Sequence, residues 1–82
     1  DTAPITYFHG LILGKVVTPN HQLLTISPTK GMPITLQITQ RTELVKDGEE
    51  ASLEEIFPGD VVINGAYHPV NHDALLIDIT SQ

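Results

Sequence analysis

The sequence has no cysteine and no tryptophan, and only four aromatic residues, Tyr7, Phe8, Phe57 and Tyr67, in 82. Without cysteine there is neither a disulfide staple nor thiol chemistry. That absence fixes no compartment, since cytosolic and exported proteins alike can lack cysteine. Basic residues are scarce as well: Lys15, Lys30, Arg41 and Lys46 stand against ten acids, for a net charge of −6. Four scattered cations form no phosphate-tracking stripe, which argues against nucleic acid and against anionic membrane surfaces. No apolar run approaches the roughly 18 residues of a membrane helix. There is no glycine-rich phosphate loop, and Ser27, Ser52 and Ser81 lie in no nucleophile-elbow context. Carboxylate pairs for acid–base work do not stand out among so many surface acids. No enzymatic activity and no cofactor are expected.

Eighty-two residues make one domain. A chain this short hides only about 60% of its unfolded surface, so its core is modest. What fills the sequence is strand signal. Period-2 alternation and β-branched residues recur in short segments set off by turn residues. "GLILGKVVT" (10–18) and "HQLLTIS" (21–27) read as a hairpin across Pro19-Asn20. "MPITLQIT" (32–39) turns Ile34, Leu36 and Ile38 to one side and Thr35, Gln37 and Thr39 to the other. "DVVINGAYH" (60–68) and "ALLIDIT" (74–80) form a second hairpin. Alternation puts Val61, Ile63 and Tyr67 on one face of the first, and Leu75, Ile77 and Ile79 on one face of the second.

A single segment, residues 52–57, reads as a short helix. Ser52 and Glu55 have the capping-box spacing, and Leu53, Ile56 and Phe57 supply an apolar face. Pro58 stops it, and Gly59 and Asp60 lead into the next strand. Gly14 and Gly65 inside strands predict bulges or sharp corners. The expected fold is therefore all-β: a small five-stranded OB-like barrel with one short helix, plugging one end, between strands 3 and 4. An SH3-like barrel is the runner-up. The expected interior is Ile34, Leu36, Ile38, Val61, Ile63, Leu75, Ile77 and Ile79, with Phe57 over one end. Residues 1–9 stand apart as an N-terminal arm or extra strand, with the barrel at 10–82.

From Gly10 on, the pattern resembles an uncharacterised OB-like domain family found, often repeated, in exported bacterial proteins. The residues that carry the resemblance are Gly14-Lys15-Val16, the threonine-marked stretch 39–42, Leu53, Ile56, Gly59, Asp60 and Val62, and the closing strand 74–79. It covers about 70 residues. It implies a fold and a secreted or cell-surface setting, and carries no catalytic residues. A chain beginning at Asp1 without Met suits removal of a signal peptide, and equally an excised domain.

The most tempting side chains are the four histidines. His9 and His21 stand alone, whereas "HPVNHD" sets His68 and His72 four apart with Asp73 beside them. Pro69 and Asn71 place these three in a loop, where they are candidate ligands for a surface metal or simply solvated residues. The acids between 43 and 60 lack EF-hand spacing and read as a solvated face. The expected function is a non-enzymatic structural or assembly module, self-associating in filament fashion through its N-terminal strand. Its contact residues are Ile5, Tyr7 and Phe8, and its partners are other copies of itself or cell-envelope proteins. The alternative is a ligand-binding module for a glycan, a peptide or a metal ion. Wet faces rich in Thr18, Thr25, Thr35, Thr39 and Thr42 suit O-glycosylation; no N-x-Ser/Thr acceptor exists.

Overall fold

The computed structural model describes residues 4–81. It is all-β: seven strands in one sheet, β1 (Thr6–Val17), β2 (Gln22–Pro28), β3 (Ile34–Gln37), β4 (Glu43–Lys46), β5 (Glu49–Glu50), β6 (Val61–Tyr67) and β7 (Ala74–Thr80). Their order across the sheet is β3-β2-β1-β6-β7-β4-β5. All neighbours are antiparallel except β4 and β7, which run parallel. The sheet is not closed. A single isolated parallel bridge, Gln37 to Asp73, links the end of β3 to the start of β7.

Both expected hairpins form, β1 with β2 and β6 with β7. The expected count of five strands is corrected to seven, because a further hairpin interrupts the middle of the chain. At its tip Asp47 and Gly48 both have positive φ, 53° and 84°. This two-residue turn matches the right-handed twist of the flanking strands. An Asp-Gly pair is the sequence mark of such a turn, hidden here among acids that read as a solvated face.

The Asp47 carboxylate also ties down the end of β7. It accepts hydrogen bonds from the Ser81 N–H (2.9 Å), the Ser81 hydroxyl (2.8 Å) and the Thr80 hydroxyl (3.3 Å). The Ser81 backbone bond, then the Ser81 hydroxyl, hold its pKa below the ordinary 3.8. A lowered folded-state pKa contributes stability that is complete above 3.8 and is lost as pH falls through the lowered value. Asp47→Asn keeps a residue tolerant of the left-handed turn and removes the titration. The variant should therefore show a shallower loss of stability than the parent in acid unfolding curves below that pH. Superimposable curves would show that the contact is screened by solvent.

The expected helix over residues 52–57 shrinks to one 3₁₀ turn, Leu53–Glu55. The Ser52 N–H does bond the Glu55 carboxylate, at 2.7 Å. The turn ends because Ile56 is already extended, with φ −102° and ψ 128°. Ile56 and Phe57 therefore point to opposite sides, as in a strand, instead of sharing a helical face. Leu53 and Ile56 enter the core, whereas Phe57 is 54% exposed and covers no barrel end. Pro58 and Gly59 then make a tight turn closed by Asp60 N–H to the Phe57 carbonyl, at 3.1 Å. Gly59 has φ 96°, the conformation required after proline in a type II turn. Gly59→Val should lower stability by about 1 kcal/mol or more, read from the midpoint of urea unfolding. An unmoved midpoint would contradict the left-handed geometry.

The core is built from Ile12, Leu24, Ile26, Leu36, Ile56, Ile77 and Ile79, each no more than 1% exposed. Leu36, Ile77 and Ile79 sit inside as expected, and Ile34, Ile38 and Tyr67 pack against the cluster. Val61, Ile63 and Leu75 do not join it. Register explains why. Val62 pairs with Ile79 and Asn64 with Asp78, so Ile63 is an extra, bulged residue. The bulge reverses the alternation on its N-terminal side, so Val62 is buried and Ile63 is 43% exposed. Likewise Ala66 pairs with Leu76 and Tyr67 with Ala74, which makes Leu75 the extra residue of β7 and turns Ala74 inward. Leu13 is bulged from β1 beside Gly14, between Ile12 and Thr25's partner.

The boundary expected at residue 9 falls inside β1, which runs unbroken from Thr6 to Val17. Residues 6–8 pair with 65–67 of β6. Phe8 is 8% exposed and lies in the chain's own core. Its ring rests on Gly65, where a Cβ would come within 2.3 Å of it, and meets Tyr67 edge-on at 5.7 Å. Burial of this ring is the physical reason residues 6–9 stay on the domain. Residues 1–3 of the expected arm lie outside the described residues.

Candidate functional site

The surface that stands out lies at the N-terminal half of β1. Backbone groups alternate sides along a strand. The Ile12 N–H bonds the Asp60 carbonyl (2.9 Å), and the Ile12 carbonyl accepts from the Gly59 N–H (2.8 Å). Thr6, Phe8 and Gly10 thus face β6, whereas Tyr7, His9 and Leu11 face the β2 side. The pairing of β2 with β1 begins only at Gly10, opposite Pro28. One further bond, from the Thr29 N–H to the His9 carbonyl at 2.8 Å, reaches past it. Tyr7 therefore turns its N–H and C=O toward an open edge. Its ring is 75% exposed, and Ile5, on the same face, is 43% exposed.

Two shallow grooves adjoin this edge. One of about 250 Å³ lies among Tyr7, Phe8, His9, Pro28, Thr29 and Lys30. The other, about 390 Å³, continues over Gly10, Leu11, Val61 and Ile63. The His9 Nδ1–H donates to the Ile63 carbonyl at 2.7 Å, which fastens the imidazole across the bulge. Neither lining contains a carboxylate. This end of β1 therefore offers backbone hydrogen bonds, apolar contact and one cation, Lys30. Strict alternation along the sequence hides the second groove, because it puts Ile63 inside; only the bulge brings Ile63 out beside Leu11.

The other end of β1 is differently made. Lys15 Nζ donates to the carbonyls of Leu53 (3.0 Å) and Glu54 (3.3 Å). Lys46 Nζ reaches the Glu55 carbonyl and forms an ion pair with Asp60 at 3.0 Å. Both ammonium groups sit near the Phe57 ring, 4.8 and 4.9 Å from its centroid. Asp60, 5% exposed, is the buried charged residue among those described, and it also accepts the Phe57 N–H at 3.0 Å. This cluster pins the 3₁₀ turn and the Pro58-Gly59 turn to β1 and β4. The adjacent groove of about 410 Å³ is lined by Asp47, Glu49, Glu50, Glu54 and Glu55. Acids thus collect at the Lys15 end of β1, away from Tyr7.

The candidate metal ligands serve the β6–β7 turn. The His68 N–H bonds the Asp73 carbonyl (2.9 Å), and the His72 N–H bonds the His68 carbonyl (2.8 Å). His72 sits at φ 60°, and its ring meets Tyr67 edge-on at 5.9 Å. His68 Nδ1 is buried without a hydrogen-bond partner. Among the described residues, no three His, Asp or Glu side chains gather to hold a metal ion. His21 closes the β1–β2 turn, its N–H on the Thr18 hydroxyl at 2.9 Å. The threonines divide between roles. Thr39 and Thr42 bond one another and Ala74, while Thr25 and Thr35 pair across β2 and β3 at 3.1 Å on the outer face. No helix among the described residues is long and apolar enough to cross a membrane. Compared with known proteins, the chain matches no family model, no curated protein and no solved structure.

Proposed function

We propose that the chain is a non-enzymatic structural module of an exported protein, one that associates with copies of itself or with cell-envelope proteins through the start of β1. The observation that carries this reading is the open edge at Tyr7, with Ile5 and Tyr7 exposed beside it. An unpaired edge is a template for strand addition, and soluble monomers usually blunt such edges with charge or proline. The exported setting rests on the sequence resemblance. An OB-like ancestry is supported by strand order. If β3 and β4 count as one interrupted strand, a three-strand meander is followed by a hairpin that packs on β1 and runs parallel to that third strand, as in a partly open Greek-key barrel. The groove over Leu11, Val61 and Ile63 favours a second reading, a module that binds an apolar peptide. Light scattering of the chain over a wide concentration range separates the two. Assemblies that grow with concentration support self-association, and a monomer at every concentration rules it out.

A further inference from the structure

We infer that the bond between Lys30 and Gly31, in the β2–β3 loop, is a processing site: a protease that recognises a basic residue cuts it in the folded protein and leaves a two-chain module with its sheet intact. Such a protease needs a cation on the residue whose carbonyl it attacks, and the chain offers Lys15, Lys30, Arg41 and Lys46. It also needs several residues of backbone that can come away from the fold. The fold withholds three of the four positions. Lys15 lies inside β1, paired with Leu24 of β2, and its Nζ is held by the carbonyls of Leu53 and Glu54. Lys46 lies in β4, between β5 and β7, and forms the ion pair with Asp60. Arg41 is exposed, but its turn is tied down. Its N–H donates to the Thr39 hydroxyl (3.1 Å), the Thr42 N–H to the Thr39 carbonyl (3.1 Å), and the Thr42 hydroxyl to the Ala74 carbonyl (2.6 Å). Lys30 is differently placed. Residues 29–33 are all exposed, Met32 to 81%. Among the described residues, no backbone hydrogen bond involves residues 30–33, and the Thr29 N–H to the His9 carbonyl is the last tie before them. Gly31 has φ 99°, with nothing within 4 Å of the place a Cβ would take, so it can swing into an extended conformation without a clash. Stretching this segment costs one hydrogen bond and uncovers no core residue. Freeing Lys15 or Lys46 requires strands to leave the sheet, which costs far more.

In the cut, water adds across the Lys30–Gly31 amide, leaving a carboxylate on Lys30 and an ammonium on Gly31. The two pieces stay together because the core spans them. Segment 1–30 carries Ile12, Leu24 and Ile26, and segment 31–82 carries Leu36, Ile56, Ile77 and Ile79, all in one cluster. The β1–β6 and β2–β3 ladders join the same two pieces. Lys30 lines the groove beside Tyr7, so the new carboxylate puts an acid where that lining had none.

Trypsin added in trace amount to the native chain, with intact masses followed over time, tests this. The first products should be 1–30 and 31–82, formed at least about tenfold faster than any product cut at Lys15, Arg41 or Lys46. On a sizing column the two pieces should elute together at the parent's volume, keep the parent's circular dichroism, and separate only in concentrated urea. Lys30→Gln should survive at least about tenfold longer than the parent while unfolding at the same urea midpoint, and Arg41→Gln should be cut as fast as the parent. Cutting at all four positions at similar rates would show that the protease catches only the unfolded chain and would overturn the site. So would a first cut at Arg41, or a Lys30→Gln chain as short-lived as the parent. Pieces that part without denaturant would overturn the two-chain module.

Discussion

Asp60→Ala should lose about 3 kcal/mol or more of folding stability, the cost of leaving one member of a buried ion pair without its partner. A domain of this size has a total near the low end of the usual range of about 5–15 kcal/mol. The variant should therefore keep only about 2 kcal/mol or less, with an unfolded fraction more than about a hundredfold above the parent's. Two bonds end on the carboxylate, and the backbone of the same residue makes a third that the substitution leaves in place. Asp60 holds Lys46 Nζ at 3.0 Å and the Phe57 N–H at 3.0 Å, and its own carbonyl accepts from the Ile12 N–H at 2.9 Å. The Asp60 side chain is 8% exposed and the Lys46 side chain 16%, so water replaces the lost partner poorly. Without the carboxylate, the Lys46 ammonium keeps only the Glu55 carbonyl and the face of Phe57. Asp60→Asn should cost less, since its amide oxygen can still accept the Phe57 N–H. Removing both charges, as in Lys46→Met with Asp60→Asn, should cost less than the sum of the two single changes. Urea unfolding of the parent, Asp60→Ala, the two single changes of the cycle and their combination checks this. Strict additivity, or a parent-like Asp60→Ala, would show that the pair is screened.

Ile77→Ala should cost about 4 kcal/mol, whereas Ile63→Ala should stay within about 0.5 kcal/mol of the parent. Sequence alternation gives both isoleucines the same inward role. The fold separates them: Ile77 is 0% exposed at the centre of the cluster, and Ile63 is 43% exposed on the far side of a bulge. Val62→Ala tests the same point from the other side. Val62 is 1% exposed, and its truncation should hurt more than that of its larger neighbour Ile63. Thermal melts of the three variants read the order directly. Equal losses at Ile63 and Val62 would place the bulge elsewhere.

These contrasts show where local reading runs out. An extra residue in one strand leaves no mark in hydropathy, because Leu13, Ile63 and Leu75 are apolar like their buried neighbours. Ile63 and Leu75 leave the inward row because the register of β6 on β7 makes each of them the unmatched residue, and Leu13 is the unmatched residue of β1 on β2. Gly14 and Gly65 announced irregularity near two of the sites, but not which residue would be turned out. The same holds for residues 52–57. The capping pair Ser52 and Glu55 and the turn at Pro58-Gly59 are local, and both appear in the structure, although the helical turn ends before Pro58. The length of helix between them is decided by Ile56, which leaves the turn early to fill the core, and by Lys15 and Lys46, which take up the carbonyls of Leu53, Glu54 and Glu55.

What the sequence determined by itself is the all-β class, the two principal hairpins, the Ile34–Leu36–Ile38 face, the turn at Pro58-Gly59, and a surface short of cations. Each depends on neighbours within a few residues: alternation with period two, proline and glycine geometry, and simple charge. Only the tertiary structure decided that the chain makes seven strands in an open sheet, that Phe57 lies outside between two lysines, and that β2 stops short of Tyr7. Those outcomes depend on registers between segments up to 60 residues apart, in which one bulged residue reverses a face and one unmatched strand end leaves an edge open.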